Sequence, residues 1–252
     1  MTLIDSHAHY EHGRFKQDRD ALLKSMPNKG VKLIINTGCD LPSSHDSIAL
    51  ADAHPHVYAT VGVHPHEAKT LDEKNLETIK KLCSHSKVVA LGEIGLDFHY
   101  DFSPRDVQRF WFKRQLELAQ EINKPVVIHS REANDEVFDA IQKSPVRTGV
   151  IHSFSGDAKL ALKYVKLGFY IGIGGVVTFD KSGQLQEVVA QIPLEHILLE
   201  TDAPYLTPAP FRGKRNESHY LFYVAETIAK IKGTDQETVC RQTTKNVKDL
   251  FF

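Results

Sequence analysis

Cysteine is scarce in this chain: Cys39, Cys83 and Cys240 are the only three in 252 residues, far apart and without a C-x-x-C pair. An odd, sparse set argues against a disulfide framework or a zinc ribbon and for a reducing compartment. No apolar run approaches the roughly 18 residues needed to cross a bilayer, and no basic segment followed by an apolar one opens the chain. A soluble, cytoplasmic protein with no membrane partner is therefore expected, and no obligate protein partner is evident. Excess charge of one sign is missing too. The 31 basic and 32 acidic residues leave a formal net charge of −1, so no global basic field exists to coat a polyanion. Such a partner must be held by a local patch or by metal ions. No G-x-G-x-x-G follows an early strand, which removes the phosphate turn of a doubly wound dinucleotide fold. Linkers, low-complexity tracts and repeats are also absent, so residues 1–252 are expected to form one domain.

What is present is an alternation of short β-branched runs with amphipathic segments. Strands are expected at Leu3-Ile4, Val31–Asn36, Val57–Val63, Val88–Gly92, Pro125–Ile128, Gly149–Ile151, Phe169–Ile173 and Ile197–Leu199. The helical periods between them include Arg14–Lys29, ending at Gly30, and Asp106–Ile122, with Ser103 as N-cap and Pro104 in the first turn. Two more close the chain, from about Tyr220 to Lys232 and from Asp235 to Phe251. Eight strand–helix units in this length, with parallel pairing implied, match an α/β fold of the (β/α)₈ TIM-barrel type.

Histidine is the compositional outlier, with 14 copies. In a barrel the active site lies at the carboxyl ends of the strands. At those positions stand His7 and His9 (strand one), His64 (three), Glu93 (four), His129 (five), His152 (six) and Asp202 (eight). Each alone has a bland structural reading, but so many imidazoles with two carboxylates on one rim call for a metal. A single catalytic zinc uses about three protein ligands. His7, His9, Glu93, His129, His152 and Asp202 fit two divalent ions better, with one carboxylate bridging, an arrangement that clamps both oxygens of a phosphate ester.

The segments DSHAH, GEIGLDF, VIHSR, IHSFSG and ETDAPYL, in this order, resemble the TatD family of metal-dependent deoxyribonucleases, within the amidohydrolase superfamily of metallo-barrels. The similarity continues through RGKRNE and TTKN; Ser218 departs from it, standing where the pattern has proline. The resemblance implies His7, His9 and Asp202 on one metal, His129 and His152 on the other, and Glu93 bridging. It also implies hydrolysis of DNA phosphodiesters, often as a 3′ exonuclease, with magnesium. The imidazole-rich donor set itself suits zinc, manganese or iron better, since magnesium prefers oxygen; two divalent ions, Mg, Mn or Zn, are expected.

Asp202 is the candidate general base, with a purely ligating role as the alternative. Asp5 and Glu200 each precede a ligand by two residues, so they should face the barrel interior and orient histidine rings or waters, with direct metal contact as the alternative for Glu200. His64 is placed to meet the scissile phosphate or a further metal, and His66 reads as a solvated loop residue. Arg131 suits a bidentate phosphate contact, and Arg212, Lys214 and Arg215 form a basic loop able to track a nucleic-acid backbone. Phe154, Tyr205 and Phe211 could stack on bases; Phe98, Tyr100 and Phe102 carry no assignment. DNA, single-stranded or at 3′ ends, is the expected substrate. The alternative is the same metal site acting on another ester or amide, such as an aminoacyl-tRNA or a small molecule.

Overall fold

A computed structural model describes residues 1–252. Eight strands, β1 (Leu3–Ala8), β2 (Val31–Thr37), β3 (Val57–Val61), β4 (Val88–Asp97), β5 (Val126–Arg131), β6 (Gly149–Ile151), β7 (Tyr170–Ile173) and β8 (Ile197–Leu199), form one sheet in sequence order. All seven pairings are parallel. A parallel bridge between Ala8 and Ala203 brings the end of β8 back to β1 and nearly closes a (β/α)₈ barrel. The connecting helices are α1 (Arg19–Ser25), α2 (Leu41–Ala53), α3 (Glu73–Leu82), α4 (Arg105–Glu121), α5 (Asn134–Lys143), α6 (Ala158–Lys166), α7 (Gln184–Gln191) and α8 (Leu221–Lys232), with α9 (Gln236–Phe251) last. No helix is long and apolar enough to cross a membrane.

Barrel strands are covered on both faces, so they read as apolar runs rather than alternations; every residue of β4 is buried. Carboxylate caps start several helices: Asp72, Asp157 and Asp235 each accept from the third residue beyond, and Asp40 forms a reciprocal capping box with Ser43. Near the amino ends of the strands, Ile4, Ile35, Val89, Val127, Val150 and Leu198 pack against Val247, Leu250 and Phe251 of α9. That helix therefore seals the end of the barrel away from the histidines.

Three local expectations are corrected. Arg14–Lys29 is not one helix: a 3₁₀ turn at Gly13–Phe15 precedes α1, and a second at Met26–Lys29 follows it. Pro27 lacks the N–H that an α-helix would need there, and Gly30 ends the segment at φ 89°. Ser103 does not cap α4; Pro104 occupies that position, while the Ser103 hydroxyl accepts from Lys69 N and donates to His66 O. Strand β4 does not stop at Gly92 but runs on to Asp97, paired with β5 beyond a register shift between Leu91 and Ile94. The shift turns Glu93 out of the regular ladder, as bulges beside active sites do.

Candidate metal centre

Local backbone chemistry brings the rim together. His9 N donates to Ala203 O (2.8 Å) and Asp202 N to His7 O (3.0 Å), so β1 and the residues after β8 fix each other. Asp202 itself holds a left-handed φ of 57°, a sparsely populated conformation for a non-glycine residue that surrounding contacts must maintain. Two glycines make room. A Cβ on Gly95 would sit 1.9 Å from His129 O, and one on Gly172 would sit 2.3 Å from Glu200 Oε2.

The side chains then converge on Glu93. Its carboxylate lies 2.8 Å from His129 Nδ1, 3.4 Å from His7 Nε2, 3.7 Å from His64 Nε2 and 4.0 Å from His152 Nε2. His7 Nε2 and His9 Nε2 are 3.1 Å apart, and Asp202 Oδ1 is 3.3 Å from His9 and 3.8 Å from His152. The His7 and His152 rings stack with centroids 3.4 Å apart. The opposite ring nitrogens face acceptors: His9 Nδ1 the Thr37 carbonyl (2.9 Å), His152 Nδ1 the Glu200 carboxylate (3.1 Å) and His129 Nε2 the Asp97 carboxylate (3.1 Å). Thr37 O and the Asp97 carboxylate are placed to accept from the outer nitrogens of His9 and His129, and Glu200 lies close to that of His152. Once the inner nitrogens give up the protons that face Glu93 and Asp202 in the metal-free site, their lone pairs would point at a bound ion, as in metal-binding histidines. Groups able to hold an ion are His7–His9–Asp202, His7–Glu93–His152, His64–Glu93–His129 and His9–Cys39–Glu93.

Charge balance supports the same fit. Burial disfavours the ionised form of Glu93, yet His64, His152 and His7, with the hydrogen bond to His129, hold its carboxyl well below the ordinary range. Asp202 is lowered against burial by the hydrogen bond with His9 and by the charge of His152. Burial also disfavours a charged His152, but Glu200 and Glu93 outweigh it and push the group up to about 9. His7, buried beside His152, goes down. Without metal, then, protonated imidazoles neutralise the carboxylates; divalent ions would replace those protons. The donor set fits them.

Asp5 is fully buried and touches no imidazole ring. It accepts from Ser218 Oγ (2.6 Å), Thr201 Oγ1 (2.6 Å), Thr201 N (3.0 Å) and His7 N (3.3 Å), and burial pushes it up to about 6. Ser218 thus sits inside the support of β1. Glu200, also buried, accepts from Ser153 N (2.6 Å) as well as facing His152. His66 is not a solvated loop residue: its Nε2 lies 2.9 Å from Asp97 Oδ2. The basic loop is largely spent on the protein. Arg215 pairs with Asp18 and Glu217 and covers Phe15, Arg212 lies over Phe179 and donates to Thr207 O, and Lys214 lies over Phe211. None of the three lines the cleft above the cluster, about 1020 Å³ in volume, whereas His64, His66, Arg131, Phe154 and Tyr205 do. Asp97 and Cys39 belong to the site but were not singled out from sequence. For Asp97 the signal existed: on a strand continued past Gly92, residues 93, 95 and 97 share a face. For Cys39, in the loop after β2, none did.

A parallel eight-stranded barrel whose rim gathers histidines and carboxylates in this way defines a metal-dependent hydrolase. The family described as TatD related DNase matches residues 4–252, and the chain belongs to it. Among its relatives, the uncharacterized metal-dependent hydrolase YabD of Bacillus subtilis (strain 168) is 40% identical over 99% of this chain and 98% of its own. The 3′-5′ ssDNA/RNA exonuclease TatD of Escherichia fergusonii is 36% identical over 94% of both chains. The crystal structure of the TatD homologue YJJV from Escherichia coli K12 superposes with a TM-score of 0.93 at 32% identity, covering 99% of this chain and 97% of that one.

Proposed function

We propose that this chain is a nuclease that removes nucleotides from 3′ ends of single-stranded DNA, and of RNA ends to the extent it accepts them, in a reducing, cytoplasmic setting. The whole chain would act as one catalytic domain holding two divalent ions. The observation that carries the reading is the sharing of Glu93 by three of the four possible ligand groups, which suits a bridging carboxylate. His7, His9 and Asp202 would hold one ion, His129 and His152 the other. Ions in these places would supply Lewis-acid polarisation of the phosphodiester and acidify an attacking water.

The protein's own part is positional and protonic. Thr37 O, Glu200 and Asp97 keep the ring nitrogens of His9, His152 and His129 correctly turned. Asp202 is the better proton acceptor of the two central carboxylates, because its side chain is 19% exposed and opens to the cleft while that of Glu93 is 4% exposed. His64, with its Nε2 3.7 Å from Glu93 Oε1, lines the cleft as a hydrogen-bonding group for the phosphate. Arg131 supplies the nearby positive charge. Polarity and strand preference draw support from the relatives named for 3′-5′ action on ssDNA and RNA.

The test is digestion of end-labelled single-stranded DNA by metal-loaded protein. A ladder shortening from the 3′ end, lost with chelator and in Glu93→Gln, is expected. No cleavage with magnesium, manganese or zinc would overturn the proposal and direct attention to esters such as aminoacyl-tRNA.

A further inference from the structure

Beyond the metal cluster, the loop after β4 presents aromatic surface that the chemistry above does not use. Tyr100 and Phe102 are 46% and 56% exposed, and their rings stack with centroids 5.2 Å apart at 23°. The Arg131 guanidinium lies 4.8 Å from the Tyr100 centroid and, unlike Arg105, Arg109, Arg114 and Arg215, has no carboxylate partner. His66 meets the edges of both rings and His99 that of Tyr100, yet about half of each side chain stays open to water beside a cation without a carboxylate partner.

Local contacts set the arrangement. Asp101, between the two rings, adopts φ 50° and brings both side chains to the same side. Its carboxylate is fixed by Arg105 through Nε and Nη2, each at 2.8 Å. Tyr100 N donates to Asp97 Oδ1 (3.0 Å), the carboxylate whose other oxygen faces His129. The platform is therefore tied through one side chain to the metal cluster; Tyr100 and Arg131 line the same cleft as His64 and His129, and Phe102, outside that lining, joins them through its stack on Tyr100.

We propose that Tyr100, Phe102 and Arg131 form a stacking platform for an unpaired nucleobase adjoining the scissile phosphodiester. A π-face beside a guanidinium suits a base joined to a phosphate, accepts any base, and needs a face that a duplex keeps covered. The inference rests on the nucleic-acid reading and supplies the origin of its single-strand preference.

The experiment compares wild type, Tyr100→Leu and Phe102→Leu, with Phe110→Leu, an exposed aromatic of α4 that packs on Trp111 and not on the platform rings, as control. Two measurements are made on each: chelator-treated protein binding a single-stranded oligonucleotide with terminal 2-aminopurine, and kcat/KM of metal-loaded protein on that strand against one with an abasic terminus. Wild type and Phe110→Leu should favour the base-bearing strand by about 10-fold or more, and should quench 2-aminopurine fluorescence. Tyr100→Leu and Phe102→Leu should lose most of that preference and the quenching, while circular dichroism shows them folded. Cleavage with unchanged preference in both variants overturns the platform and leaves the nuclease reading standing. Binding that weakens in the variants without any cleavage keeps the platform and overturns the nuclease reading, and neither binding nor cleavage by wild type overturns both.

Discussion

Asp97→Asn isolates the part played by a residue that never touches the central carboxylate. In the native site Oδ1 of Asp97 accepts from His99 N and Tyr100 N at 3.0 Å, and Oδ2 faces His129 Nε2 at 3.1 Å and His66 Nε2 at 2.9 Å. The Asn carbonyl can satisfy the two amides only by turning its NH₂ toward the histidines. His129 Nε2 must then accept, its proton moves to Nδ1, and the nitrogen nearest Glu93 no longer offers a lone pair. Outer-shell changes of this kind cost about 10–100-fold in metal affinity, or roughly 1.4–2.7 kcal/mol. Calorimetric titration of zinc or manganese into chelator-treated protein reads the loss directly. The metal-free melting temperature should also fall, because Asp97 is held far below the ordinary range by His129, His66 and the Tyr100 amide against the cost of burial. Unchanged affinity at both sites would refute the tautomer reasoning, and with it Nδ1 as the inward nitrogen of His129.

Other perturbations separate the remaining parts of the site. Gly172→Ala would place a methyl 2.3 Å from Glu200 Oε2; displacing that carboxylate should cost about 1–3 kcal/mol in a melt and weaken metal binding through His152. In metal-free protein, His152 stands at about 9 against about 6.5 unfolded. Its raised value gives stability that is full below about pH 6.5 and lost as pH rises toward 9, by at most about 3 kcal/mol. Denaturant melts across that window should show the decline, and saturating metal should reverse the trend, since metal needs the neutral imidazole. Arg215→Ala breaks a partly exposed pair with Asp18 and Glu217 and should cost about 1 kcal/mol of stability, registering in melting more than in DNA affinity.

The barrel was legible because its strands are apolar on both faces and regularly spaced by helices, a pattern that needs no long-range information. The rim positions were legible for the same reason: Glu93, His129 and His152 are the first polar residues after their apolar runs, and His7 and Asp202 follow the first ones, Asp5 and Glu200, by two. What escaped depended on backbone departures. Ending β4 at the first glycine hid the continuation that carries Asp97, and alternation on β1 suggested that Asp5 faces the imidazoles. The register of β1 on β2 shifts between Asp5 and Ala8, and the buried carboxylate instead meets Thr201 and Ser218. Ser218 looked remote in sequence, 213 residues from Asp5, yet lies 2.6 Å from it. The basic loop misled in the other direction, because composition cannot show that Arg215 already has carboxylate partners.

The most direct test of a Glu93-bridged dinuclear centre is the number of divalent ions bound per folded chain, counted by native mass spectrometry with elemental analysis at saturating manganese or zinc. Two ions in wild type are expected, falling to one or none in Glu93→Gln and to one in His7→Ala or His9→Ala, with the fold retained in each. A wild-type chain that saturates at one ion, or a Glu93→Gln chain that still holds two, would contradict the bridged centre.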